Sequence, residues 1–172
     1  ASSVRSGNVI GGGDISKKRL IPDCIKSLKN NKTIFLRNPN FNRPWQFVLE
    51  PLKGYLILAK EQYKNPKRYS GAWNFGTEPN TVTNVRTIVK YLIYFWGKGK
   101  IQILKKNFSE QMNLQLDINK AKNLLKWFPT YNIKYTVKLV VEWYKKVLSK
   151  NESPTKITEE QIKRYMHDSK IS

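Results

Sequence analysis

Strand-like and helix-like stretches alternate along this chain, and that alternation constrains the fold more than any other feature. Residues 4–10, "VRSGNVI", have the composition of an apolar strand and are followed by a glycine turn at residues 11–13. Residues 20–28 then carry apolar side chains three and four positions apart, which is helical spacing, with Pro22 in the first turn. Such alternation is typical of an α/β protein.

Further strands and helices are predicted in the same order. The predicted strands span residues 33–38, 71–78, 101–104 and 114–117, and the predicted helices span residues 48–63, 82–97, 119–127, 132–150 and 158–166. The helix predicted for residues 48–63 has one apolar face, which we expect to be buried. Its members are Leu49, Leu52, Leu56 and Ala59.

Two of these helices carry capping signals at their ends. In the helix predicted for residues 82–97, Asn84 or Thr83 suits the N-cap position and Gly97 suits the C-terminal end. In the last helix, Thr158 is the expected N-cap, and Gln161 three residues later completes a capping box. We therefore expect the boundaries of these two helices to be set locally.

The chain has one cysteine, Cys24, and one histidine, His167, and this excludes several classes of site. An intrachain disulfide, a Cys/His zinc site and a supported Cys-His dyad all need more of these residues. Cys24 lies among apolar neighbours and suits a small core position. No apolar run has the roughly 18 to 20 residues of a membrane span, and the first 20 residues lack a secretory layout. We therefore expect a soluble, cytoplasmic protein.

The formal net charge of +20 raises the alternative of a basic nucleic-acid-binding protein. The distribution of charge argues against it. Lysine outnumbers arginine 25 to 7, the lysines are spread along the chain, and no known nucleic-acid-binding string occurs. Arginine is the residue expected to dominate a surface that binds bases or phosphates in a bidentate manner.

Two short motifs resemble a cofactor site and a proton-transfer pair in residue type, but they lack the spacing or the helical geometry that these functions need. The glycine turn at residues 11–13 follows a strand but fits neither G-x-G-x-x-G nor G-x-x-x-x-G-K-[ST], which favours a turn without a cofactor role. Asn8 either caps that turn or faces a ligand. Residues 63–67, "YKNPK", contain a Tyr-x-x-x-Lys pattern, but Pro66 breaks the helical register that a Tyr-Lys pair requires.

The stretch "RPWQFVLEP", residues 43–51, places an arginine beside residues that restrict the backbone. Arg5, Arg37 and Arg43 all lie at strand ends or in loops, where functional residues are common, and simple solvation at the surface is the alternative for each. Of these three arginines, only Arg43 is directly followed by residues that restrict the backbone, Pro44 and Trp45. A guanidinium held in this way suits a diphosphate, which binds arginine through two oxygens.

Several strings, taken together and in order, resemble a known family. They are "VRSGNVIGGGD", "RLIPDCI", "IFLRNPNFNRPWQFVLEPLKGYLILA", "GAWNFG" and "LQLDINKAKNLLKW". From residue 1 to about residue 148 the chain resembles the C-terminal half of the CDP-glucose 4,6-dehydratases, which are extended short-chain dehydrogenases/reductases. The resemblance implies an α/β fold: the C-terminal part of an NAD(P)-binding Rossmann-like fold, and mainly its small mixed α/β substrate-binding domain.

The resemblance also implies a division of the chain and an activity. Residues 1–14 would be the last part of the Rossmann sheet with its glycine turn, residues 15–148 the substrate-binding domain, and residues 149–172 a C-terminal tail with a short helix. Enzymes of this family are lyases of nucleotide-sugar metabolism that use NAD to convert CDP-glucose to CDP-4-keto-6-deoxyglucose and water. The product leads to dideoxy sugars of surface polysaccharide such as lipopolysaccharide O-antigen.

Five residues match substrate-binding positions of the family. Asn8 matches a contact to the substrate diphosphate, and Arg43 matches the arginine that clamps it. Leu20 and Ile21 fall where backbone groups meet the nucleotide base, and Glu110 matches an acidic position near the nucleotide.

The family's NAD fingerprint, catalytic Tyr-x-x-x-Lys and acid/base carboxylates fall before residue 1 in this resemblance, so NAD would be bound mainly by an N-terminal half. No residue of the chain is assigned a catalytic, cofactor-binding or metal-binding role. The alternatives are a substrate-binding half that is inactive alone, a chain that pairs with a separately encoded N-terminal half, an inactive remnant, and a nucleic-acid-binding protein. The whole enzyme would be a homo-oligomer. Phe47 stands where the family usually has a histidine.

Overall fold

The computed structural model describes residues 1–104 and 114–170 of the 172-residue chain. The described residues form a mixed α/β fold. The strands are β1 (Ser2–Ser6), β2 (Asn8–Ile10), β3 (Ile34–Leu36), β4 (Asn42–Arg43), β5 (Trp45–Phe47), β6 (Gly71–Phe75), β7 (Thr83–Asn84) and β8 (Ile101–Ile103). The helices are α1 (Leu20–Lys29), α2 (Leu49–Lys64), α3 (Pro66–Tyr69), α4 (Val85–Trp96), α5 (Asn119–Leu125), α6 (Ile133–Lys150) and α7 (Pro154–Asp168).

The first predicted strand is divided at Gly7 into two strands with different partners. β1 pairs in parallel with β6, and β2 pairs in parallel with β5. The backbone N–H of Gly7 donates to Phe75 O at 3.3 Å, whereas that of Asn8 donates to Pro44 O at 3.0 Å, so the exchange of partners occurs between these two residues. A Cβ at Gly7 would lie 2.5 Å from Pro44 O, which is why glycine is needed there. β3 and β8 form a further parallel pair, and β4 and β7 an antiparallel one.

The local capping signals of α4 are confirmed. The side chain of Asn84 accepts a hydrogen bond from the backbone N–H of Thr87 at 2.8 Å, and Gly97 follows the helix with a left-handed φ of 97°. Asn84 and Gly97 therefore mark the two ends of this helix, as the sequence indicates.

The predicted buried face of α2 is wrong. Leu52 and Leu56 are 44% and 72% exposed. The buried positions are instead Glu50, Pro51, Gly54 and Leu58. At Gly54 an added Cβ would lie 2.3 Å from the ring of Phe75 on β6. The helix therefore packs on the strand through its glycine, and the leucine-rich side faces outward.

Two further predictions fail in the second half of the chain. Residues 114–117, expected as a strand, have no regular secondary structure. α7 begins at Pro154 with Ser153 as its N-cap, four residues before the expected start. Thr158 is not the cap. Its hydroxyl donates to Pro154 O at 2.8 Å and accepts from the Trp143 indole at 3.0 Å, which joins α7 to α6.

Two buried clusters form most of the core. The larger joins α1, α4, α6 and β3, and it includes Cys24, which is 2% exposed. The second joins β6, α2 and α5 around Trp73, Phe75 and Trp127. Within residues 1–104 and 114–170, no helix combines the length and the apolar character that crossing a membrane requires.

Candidate functional site

A cavity of about 1010 Å³ lies where two strands end beside the start of α1. Ile10 and Gly11 at the end of β2, and Leu36 and Arg37 at the end of β3, form one part of its wall. Leu20, the first residue of α1, forms another. Crevices outside the carboxyl ends of parallel strands are the usual ligand sites of α/β folds. The cavity is therefore the candidate functional site.

Four of the five predicted site residues line this one cavity: Asn8, Leu20, Ile21 and Arg43. They come from β2, α1 and β4 and are up to 35 positions apart in sequence, so only the fold brings them together. Their roles in ligand binding stay predictions. Glu110 lies outside the described residues.

Arg43 is held from several sides at the end of β4. Its backbone pairs with Thr83 of β7, and its Nη1 donates to Asn42 O at 2.9 Å. The guanidinium carbon lies 5.1 Å from the centroid of the Phe41 ring, within range of a cation–π contact. Arg43 is partly buried, which lowers local screening by water and strengthens its attraction for an anion.

The backbone links Asn8 to the segment that carries Arg43. Asn8 is the first residue of β2 and pairs with Trp45 of β5, while its N–H is bonded to Pro44 O. The close approach of Gly7 to Pro44 makes this register feasible. An amide and a guanidinium from distant parts of the sequence are therefore fixed in neighbouring parts of the cavity wall.

The glycine turn after β2 has a packing role. A Cβ at Gly12 would lie 2.1 Å from the indole of Trp143 on α6, and Gly13 has a φ of +80°. The space beside Gly12 is thus filled by the chain itself, and these glycines do not fit a pyrophosphate cradle for NAD.

The turn also orders Asp14, which follows it. Asp14 accepts a hydrogen bond from Ser16 N at 2.9 Å and lies 3.9 Å from Arg19, while Tyr144 donates its hydroxyl to Asp14 O at 2.7 Å. Burial alone would raise the pKa of Asp14, but the Ser16 hydrogen bonds and the Arg19 charge outweigh it and hold the pKa below its usual value. This carboxylate is already committed to partners within the chain.

The charge of the cavity wall is mainly positive. Its charged side chains are Lys18, Arg19, Arg37, Arg43, Asp14 and Asp23. Arg37 is one of the three arginines noted in the sequence, whereas no sequence pattern singled out Arg19 or Asp23. Asp23 lies one helical turn after Leu20, and that spacing is the signal that could have identified it. Arg5, the other arginine considered, lies in β1 outside the cavity lining.

A buried carboxylate, outside the cavity lining, joins three parts of the fold. Glu50, in the first turn of α2, is fully buried. It accepts hydrogen bonds from the backbone N–H groups of Thr130 and Tyr131, at 3.0 and 2.8 Å, and from the Tyr165 hydroxyl at 2.6 Å. Burial and the Glu50 charge raise the pKa of Tyr165, so this phenol stays a donor. Glu50 thereby ties α2 to the loop before α6 and to α7.

Other reactive residues of the described chain are not assembled for chemistry. Burial raises the pKa of the Cys24 thiol to about 12, so it is not a nucleophile near neutral pH. Tyr63 is 91% exposed near the end of α2, and Lys67 lies in the separate helix α3. The Tyr-x-x-x-Lys letters at residues 63–67 therefore do not form a helical pair.

Comparison with solved structures identifies the class of fold. A UDP-glucose 4-epimerase of Thermotoga maritima, solved with UDP-glucose, matches 86% of this chain with a TM-score of 0.68 and 22% identity. A dTDP-glucose 4,6-dehydratase of Bacillus anthracis, solved with NAD, matches 84% with a TM-score of 0.69 and 20% identity. The chain covers 47% and 44% of these two proteins. The fold is therefore part of an extended short-chain dehydrogenase/reductase fold, which confirms the predicted fold class.

Sequence comparison gives a more specific likeness. The chain is 41% identical over 146 residues to the CDP-glucose 4,6-dehydratase of Salmonella typhimurium strain LT2. The match includes 84% of this chain and 41% of the relative, so the chain spans about two fifths of the length of that enzyme. No protein-family model matches. The resemblance to CDP-glucose 4,6-dehydratase is confirmed over this part of the enzyme.

Proposed function

We propose that the chain is the CDP-sugar-binding part of a CDP-glucose 4,6-dehydratase, which converts CDP-glucose to CDP-4-keto-6-deoxyglucose and water. The observation that carries the proposal is the convergence of Asn8, Leu20, Ile21 and Arg43 on one cavity. Its volume of about 1010 Å³ is at the upper end of the usual range for ligand pockets, and a nucleotide sugar is a large ligand.

Each part of the ligand has a chemically suitable part of the wall. The diphosphate carries the negative charge, and Arg43 at the end of β4 presents a partly buried guanidinium that can bind two of its oxygens. Asn8 offers an amide beside it. The backbone at Leu20 and Ile21, at the start of α1, would meet the base, and Glu110 would lie near the nucleotide.

NAD is proposed as the cofactor, bound mainly by an N-terminal part of the whole enzyme. When bound, NAD accepts a hydride from the sugar and returns it. The packing of Trp143 against Gly12 supports placing its pyrophosphate site elsewhere. The chain alone would then bind CDP-glucose without dehydrating it. The N-terminal part of the enzyme is what we propose to complete the site.

Calorimetric titration with CDP tests this proposal. Wild-type chain is expected to bind CDP, and Arg43→Ala is expected to weaken binding by about ten-fold to a hundred-fold, because a hydrogen bond to a charged group contributes about 1.5–3 kcal/mol. Arg68→Ala is the matched control, since Arg68 is an exposed arginine of α3 outside the cavity lining. Absence of CDP binding, together with salt-sensitive binding to random DNA, would favour the nucleic-acid alternative.

A further inference from the structure

One side of α1 forms a stripe along the cavity. Leu20, Asp23, Cys24 and Ser27 follow the i, i+3, i+4, i+7 spacing of a helix face, and all four line the cavity. Cys24 belongs to the buried core, whereas Asp23 is exposed and lies at the outer side of the stripe. A carboxylate therefore stands at the cavity edge, one helical turn from Leu20.

Asp23 differs from the other acid of the described wall. Asp14 is engaged by Ser16 and Arg19, but the Asp23 side chain has no hydrogen bond or ion pair among residues 1–104 and 114–170. The remaining charged side chains of the described wall are cationic. Phosphates belong beside those cations and would be repelled by a free carboxylate. A ligand group next to Asp23 should instead be a hydrogen-bond donor.

We propose that Asp23 selects cytosine by accepting a hydrogen bond from its exocyclic N4 amino group. The inference rests on the proposed function, because Leu20 is where the base would meet the backbone. Side chains three positions apart on a helix have Cβ atoms about 5–6 Å apart, so the Asp23 carboxylate reaches the edge of a base held there. Uracil and thymine carry an acceptor, O4, in place of the amino group, and an acceptor facing a carboxylate is repelled.

A purely structural role for Asp23 makes a different prediction. An acidic residue in the first turn stabilises a helix through its dipole, whichever base is bound. Under that role, substitution would change thermal stability and leave the ratio of affinities for CDP and UDP unchanged. The selectivity ratio is therefore the informative quantity.

The experiment measures CDP and UDP affinity by calorimetry for wild-type chain and for Asp23→Asn. We expect wild-type chain to prefer CDP by about ten-fold or more, the discrimination typical of one well-placed base contact. Asp23→Asn should reduce this preference at least several-fold, because its amide can turn an N–H group toward uracil O4. Glu61→Gln removes a partly exposed carboxylate on α2, outside the cavity lining, and should leave the ratio unchanged. Melting curves confirm that both variants are folded.

The outcomes separate this inference from the proposed function. If wild-type chain binds CDP but Asp23→Asn keeps the wild-type ratio, or if wild-type chain binds CDP and UDP equally, the assignment of Asp23 is overturned and the proposed function stands. If wild-type chain binds neither nucleotide, the proposed function fails and this inference fails with it.

Discussion

At the residue scale, the nine residues "RPWQFVLEP" combine a charge at the cavity wall with a buried one. Arg43 lines the cavity, and Glu50, seven positions later, is enclosed by donors from Thr130, Tyr131 and Tyr165. The two charged side chains therefore differ in burial: Arg43 is partly exposed, whereas Glu50 is fully buried. Arg43 stays partly buried at the cavity wall, and Glu50 fixes the start of α2 against the loop before α6 and against α7.

Glu50→Gln should lower the free energy of unfolding by about 1–3 kcal/mol, because an amide cannot accept at both positions and leaves buried donors unpaired. Glu50→Ala should cost more, about 3–5 kcal/mol. The midpoint of a urea titration, at constant slope, measures both. Glu61→Gln, which breaks only the exposed contact of Glu61 with Lys64, should stay within about 0.5 kcal/mol of wild type. Equal effects of Glu50→Gln and Glu61→Gln would contradict the structural role of Glu50.

The sequence points to cavity-lining residues where a local pattern and the proposed ligand chemistry coincide. Arg43 stands out because Pro44 and Trp45 follow it, and Asn8 because it is polar in an apolar strand. Asp23 does not stand out, because an acid in the first turn of a helix is ordinary. Its position matters only once β2 and β3 end beside α1, and no local pattern encodes that arrangement.

At the element scale, glycines decide how closely the elements approach. Gly54 lets α2 rest on Phe75, Gly7 lets β2 exchange partners beside Pro44, and Gly12 lets the turn rest on Trp143. These contacts explain why the face of α2 was predicted wrongly. A hydrophobic pattern selects leucines, whereas close helix–strand packing here uses a glycine. The ends of α4 were predicted correctly because capping is a local interaction.

Gly12→Ala should destabilise the fold by about 1–3 kcal/mol, because the added methyl group overlaps the Trp143 indole. The same substitution should cost much less in a Trp143→Leu background, where the ring is absent. Chemical denaturation of the two single variants and the double variant gives this coupling directly. Gly76→Ala is the control, because its nearest atoms would lie 3.4 Å away. If Gly12→Ala lowers the free energy of unfolding equally with Trp143 and with Trp143→Leu, backbone strain, and not the ring, is responsible.

At the scale of the whole molecule, charge and exposed apolar surface act against each other. The net charge of +20 makes copies of the chain repel one another. Leu52, Leu56 and Tyr63 form an outward stripe on α2, and Val4 on β1 is 40% exposed. β1 pairs only with β6 among the described residues, so its other edge can pair with a further strand. The chain spans about two fifths of the length of its relative, so these surfaces are available to the rest of such an enzyme.

Salt should therefore drive the isolated chain to self-associate. The screening length falls from about 10 Å at 0.1 M to about 3 Å at 1 M salt, so the repulsion weakens while the attraction between apolar stripes persists. Light scattering should show a larger mean mass at 1 M than at 0.1 M sodium chloride. Leu52→Gln with Leu56→Gln keeps the net charge at +20 and should suppress this increase, whereas Leu124→Gln, an exposed leucine of α5, should not. If the double variant associates as strongly as wild type, the open edge of β1 is the dominant contact and the stripe on α2 is not.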